Sequence, residues 1–207
     1  DFPQPTIDRI RADPRSDPAR FVNRVITKWS NGTDNIYFRD YDPYVTFAQN
    51  MPLVRTYQLA IEIPWHKEIG VRGYTPEATA NSWFTSGINF WVRSRLYWDT
   101  AADIKSVMED YCRGMFADAW EPMYSLLDKL ARRTIESKAF RHGDHVLPRL
   151  YSLEFVEELD FDLRRAEELA STPEHKARVR MWRLCQQHML KYLTLRAAEY
   201  RGDFVAA

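Results

Sequence analysis

Asn35-Ile36-Tyr37-Phe38-Arg39-Asp40-Tyr41-Asp42-Pro43-Tyr44 and Gly70-Val71-Arg72-Gly73-Tyr74-Thr75-Pro76-Glu77 decide how this chain is read. Each stretch begins as a short strand and ends in aromatic and acidic residues. In the first, Ile36 and Phe38 fall on one face and Tyr37 and Arg39 on the other, the alternation of a pleated strand. Each stretch then gives way to a helical pattern. Strand, acidic-aromatic end and helix is the unit of a β/α barrel, whose strand ends carry the functional groups. Two such units do not close a barrel. The expectation is therefore the last part of a larger barrel domain.

Outward from these strands, every other patterned segment is helical. Residues 1–18 are proline-dense and aperiodic, an extended approach. Asp17 and Pro18 suit the cap and first position of a helix that carries Phe21, Val22, Val25, Ile26 and Trp29 at helical spacing. Asn31-Gly32 stops it, and Asn31-Gly32-Thr33 reads as a turn rather than a glycosylation site. A second helix is expected through Leu53, Val54, Tyr57 and Ile61, ended or kinked by Pro64. Pro76 to Ser86 reads as a loop, with helical order resuming through Ile88, Trp91, Val92 and Leu96.

Beyond Asp99 the pattern is purely helical. Thr100 to Asp103 reads as a capping box. Apolar stripes follow at Ile104, Val107, Met108, Tyr111, Cys112 and Met115, then at Trp120, Met123, Leu127 and Leu130. Leu153 to Ala170 is a charged helix with Asp160 and Arg164 one turn apart. Ser171-Thr172-Pro173-Glu174 opens a last helix lined by Val179, Trp182, Cys185, Met189 and Leu193 and ended by Gly202. The fold class expected is mainly α with a minor parallel β part. Its parts are a two-stranded barrel end over residues 1–99 and an antiparallel helical bundle over 100–207.

Composition narrows the function classes. The 207 residues carry 29 basic and 29 acidic side chains, so no nucleic-acid partner is expected. No apolar run approaches the length of a membrane span. Cys112 and Cys185 both fall on apolar helix faces and read as buried free thiols. Trp91, Trp98, Trp120 and Trp182 lie on apolar stripes and read as core. His142-Gly143-Asp144-His145 lacks ligand spacing and reads as a solvated loop, so neither a metal nor a cofactor is expected. His66 reads as a helix-end residue. No phosphate loop, nucleophile elbow or catalytic triad order is present.

The strand ends remain. Asp40, Tyr41 and Tyr44 follow the first strand, and Tyr74, Glu77 and Trp83 accompany the second. Sugars offer apolar C–H faces rimmed by hydroxyls, so aromatic platforms beside carboxylates are the side chains that bind them. Asp40 and Glu77 also invite comparison with a catalytic carboxylate pair. Their separation in space is not legible in sequence, and both are kept as binding residues.

Trp29 through Tyr44, Gly70-Val71-Arg72-Gly73 and Leu96-Tyr97-Trp98-Asp99 resemble an uncharacterised bacterial domain family, one related to α-glucuronidases and β-hexosaminidases. The resemblance covers roughly residues 20–130. It implies that the two strands are the seventh and eighth of an eight-stranded barrel in a secreted glycoside hydrolase, extracellular or periplasmic. The implied partners are a carbohydrate substrate and an upstream domain of the same protein, or a second copy of the chain. Arg39-Asp40-Tyr41 stands where the family shows an aromatic-Asp-Tyr triplet. The Asp-Glu pair that such hexosaminidase-like enzymes carry on an earlier strand has no counterpart here, so catalytic residues are not assigned. The alternative expectation is a helical structural or interaction module without a site of its own.

Overall fold

A computed structural model describes residues 17–41, 51–77, 83–137 and 147–203. The chain is mainly helical with one small parallel sheet. Its order is α1 (Asp17–Ser30), β1 (Ile36–Tyr41), α2 (Thr56–Glu68), β2 (Val71–Glu77), α3 (Trp83–Trp98) and α4 (Ile104–Phe116). A 3₁₀ turn (Ala117–Ala119) leads to α5 (Trp120–Glu136), α6 (Leu147–Leu150), α7 (Leu153–Leu169) and α8 (Pro173–Arg201). β1 and β2 lie side by side and parallel, joined through α2 as a β-α-β unit.

The register of the sheet carries one irregularity. Ile36 pairs with Val71, but Tyr37 pairs with Gly73, so β2 holds one extra residue. Val71 is buried, and Tyr74 packs against the helical core. A Cβ at Gly73 would sit 2.8 Å from ring atoms of Tyr37, so a side chain there would push that ring aside. Tyr37 lies on the open side of the sheet and is 68% exposed. Gly70 turns the chain from α2 into β2 with φ +93°, a conformation side-chain-bearing residues rarely adopt.

Several local expectations change. Residues 51–55 are not helical; they form an irregular strap, buried throughout, that leads into α2 at Thr56. α2 runs through Pro64 to Glu68. A proline costs one hydrogen bond, and burial of Leu59, Ile63 and His66 around it outweighs that loss. α3 begins at Trp83, inside the segment expected to be a loop. The cap of α4 is Asp103, whose carboxylate accepts from the Ser106 N–H at 2.9 Å, in place of the box expected from Thr100.

Other local readings match. Gly32 and Thr33 N–H groups both donate to the Trp29 carbonyl, forming the turn after α1. Thr172 caps α8 by accepting from the His175 N–H, with Pro173 in the first turn. Arg164 and Asp160 pair at 2.6 Å on α7. The His142–His145 segment lies outside the described residues.

Apolar residues from α2 to α8 form one contiguous core, which continues across Asp99. Phe116, Leu127, Tyr151 and Leu163 are among its buried members. Polar side chains tie its layers. Lys129 of α5 reaches the buried Asp162 of α7 at 2.6 Å. Arg183 of α8 grips Asp160 and Glu167 of α7 and holds the Asp160 carboxyl below the usual carboxylate range. Of the four tryptophans read as core, Trp182 is buried and Trp91 and Trp120 are half-buried. Trp98 is 93% exposed. It ends α3 and is left uncovered by the described residues, so spacing along the helix misplaces it.

Cys112 and Cys185 are buried free thiols, as expected. Burial pushes both up to about 12. Because the folded thiols resist ionisation, they favour the fold below the unfolded thiol value of about 8.5. That contribution is lost as pH rises from there toward the folded value. The native protein is expected to leave Ellman's reagent unreacted at pH 8 and to titrate both thiols only in denaturant. Fast labelling of either under native conditions would show that its helix face opens.

Candidate strand-end site

The parallel pairing brings the carboxyl ends of the two strands together. In register, Asp40 stands opposite Pro76 and Tyr41 opposite Glu77. These backbone positions carry three of the residues singled out in sequence. Tyr44 lies outside the described residues. Tyr74 and Trp83 are described in full, and their settings differ.

Tyr74 belongs to the layer between sheet and helices. Its hydroxyl shares a 2.5 Å hydrogen bond with Nδ1 of His66, in the last turn of α2. Its ring stacks on Tyr97 of α3 at 4.6 Å and meets Phe38 edge-on at 5.8 Å. The Tyr97 hydroxyl in turn accepts from Arg93 Nη1 at 3.1 Å. His66 is 6% and Arg93 2% exposed, and the Tyr74–Tyr97 ring stack lies between their two hydrogen bonds. Phe38 also lies 5.1 Å from the His66 ring, which closes the cluster. Tyr74 thus stiffens β2 just before its end.

Trp83 opens α3 at the far side of the connection from β2. Its ring is 64% exposed and stacks on Phe90 at 4.9 Å. A large ring held in place by a neighbour yet open to water is not part of the core.

Sequence reasoning missed this cluster. Arg93 and Tyr97 are spaced i,i+4 on α3, which is a legible signal. Their convergence on Tyr74 and His66 depends on how α2, α3 and β2 pack. A polar cleft of about 450 Å³ opens at the other end of the sheet, between Ser30, Asp34, Glu68 and Arg72. Among the described residues, no three His, Cys, Asp or Glu side chains gather to hold a metal ion.

A family model described as Domain of unknown function (DUF4838) matches residues 6–126, more than half of the chain. The chain belongs to the DUF4838 family. No curated protein and no solved structure matches it. The DUF4838 region takes in both strands, α2, α3 and α4 and ends inside α5. Every candidate binding residue therefore lies within the DUF4838 match, whereas α6, α7 and α8 lie beyond it.

Proposed function

We propose that this DUF4838 chain is the C-terminal portion of a glycoside hydrolase and contributes saccharide-binding groups to a barrel site. Asp40, Tyr41, Tyr44, Glu77 and Trp83 contact the sugar, with Tyr74 at the end of the aromatic layer that supports them. The carrying observation is the parallel adjacency of β1 and β2, which sets the Asp40-Tyr41 and Pro76-Glu77 ends side by side. Among the described residues the parallel sheet has two strands, fewer than parallel sheets usually have, which favours completion by further strands of the same protein. The catalytic acid and its partner carboxylate come from that remainder. The parent enzyme acts in an extracellular or periplasmic setting.

Trp83 gives the cleanest test because it is exposed and its loss leaves the core intact. Trp83→Ala is expected to weaken binding of a soluble oligosaccharide about three- to tenfold, the value of one aromatic contact. Isothermal titration against a panel of neutral, N-acetylated and uronate oligosaccharides reads the effect. Equal affinity of wild type and variant, or none for either, overturns the assignment.

A second reading is supported by exposed large side chains outside the strand ends, including Trp98, Phe161 at 76% and Tyr200 at 71%. In it the chain is a helical interaction module. Light scattering separates the two, since self-association without glycan affinity favours the module.

A further inference from the structure

The middle of α7 reads Glu157-Glu158-Leu159-Asp160-Phe161-Asp162-Leu163-Arg164-Arg165. Its spacing is symmetric about Phe161, and its two ends carry opposite charge. Two acids stand three and four residues before the ring, and two bases three and four residues after it, all on the same helix face. Phe161 is 76% exposed, and the four charged residues are exposed with it. Asp160 and Asp162 are already engaged by Arg183 and Lys129. Arg164 and Arg165 pair along the exposed helix surface with Asp160 and Glu168, contacts worth little in water. Among the described residues, Glu157 and Glu158 have no ion pair.

The apolar surface extends onto α8. Asp160 and Arg183 pair across the α7–α8 hairpin. One residue back from each, Leu159 and Trp182 are buried in the core. One residue on, Phe161 and Leu184 both turn to the outer side, because each step rotates about 100° and the two helices run antiparallel. Leu184 is exposed, as is Met181 one turn before it.

We propose that this outer face of the α7–α8 hairpin joins two copies of the chain across a two-fold axis passing by Phe161. A two-fold contact uses the same patch on both sides, so residues before the axis in one copy meet residues after it in the other. The two α7 helices then run antiparallel, ring against ring, with Glu157 and Glu158 opposite the partner's Arg164 and Arg165 at both ends. A parallel pairing would set acids against acids. The match spans the central turns of α7. Seven residues out from Phe161, Glu154 and Glu168 carry like charge. That keeps the interface small and the dimer weak, with a dissociation constant on the order of 10 μM. The surface lies beyond the DUF4838 match, and the inference is independent of the sugar-site reading.

Sedimentation velocity on the full 207-residue chain, over concentrations that bracket that value, tests it. Wild type is expected to pass from monomer to dimer. Phe161→Asp is expected to weaken association by about a hundredfold. Trp98→Ala, on an exposed ring of α3, is expected to leave it unchanged. Charge reversal reads the register. Glu157→Arg with Glu158→Arg makes both ends of the α7 patch basic, and Arg164→Glu with Arg165→Glu makes both acidic. Each double variant is expected to weaken self-association by about tenfold or more, while an equimolar mixture of the two recovers wild-type affinity to within about threefold. Far-UV circular dichroism checks that each variant keeps its helix content. A wild type that stays monomeric overturns the proposal and leaves the face to another occupant, such as a further segment of the protein. Association that Phe161→Asp does not weaken lies elsewhere on the chain and overturns it too. Double variants that fail to pair with each other overturn the two-fold register.

Discussion

Asn89→Ala is expected to lower the unfolding free energy by about 3–5 kcal/mol, since each buried backbone group left without a partner costs about 1–3 kcal/mol and the void adds to that. Asn89 is fully buried on α3 and makes two bonds to the strap. Its Oδ1 accepts from the Arg55 N–H at 2.9 Å, and its Nδ2 donates to the Leu53 carbonyl at 2.8 Å. Alanine supplies neither group. Asn89→Asp is no rescue, because it keeps the acceptor, loses the donor and buries a charge. Urea unfolding followed by circular dichroism gives the answer: the midpoint falls while the slope is unchanged. A loss under about 1 kcal/mol would mean that the strap satisfies its backbone elsewhere.

The second large effect is at Phe116, the last residue of α4, which has no exposed surface. Phe116→Ala is expected to cost about 3–5 kcal/mol through lost burial and the void left behind. For a chain of this size that is a fall of about 10 °C or more in Tm. The adjoining backbone has little freedom to collapse into the void. Ala117, next in the chain, is already held at φ +44°, a positive-φ conformation that a non-glycine residue rarely keeps. Trp98→Ala is the matched control. It removes a larger ring, yet that ring is 93% exposed, so the expected change is within about 0.5 kcal/mol. Differential scanning calorimetry on the pair compares ring loss in the core with ring loss in water. A destabilised Trp98→Ala would mean that this ring packs on something in solution.

These two sites show where sequence reading succeeds and where it stops. The stripe on α4 placed Met108, Tyr111 and Cys112 in the core, because a 3.6-residue period reports which face is apolar. The same logic failed for Trp98, since a stripe says nothing about where a neighbouring helix ends. The strap was misread as helix for a related reason. Met51, Leu53 and Val54 are apolar at a spacing that suits a helix. Their backbone is instead satisfied by Asn89 and Tyr151, which are distant in sequence.

At the candidate site, alternation and the flanking residues were enough to mark both strands. Local pattern also placed the cap at Thr172, the turn at Asn31-Gly32 and the buried thiols, because each depends on residues within a turn or two of itself. Pairing is different. That β1 and β2 are parallel neighbours, that β2 holds an extra residue opposite β1, and that Trp182 meets Phe84 all depend on groups far apart along the chain. Such contacts form only when the helices pack and exclude water, and a one-dimensional pattern carries no record of which faces meet.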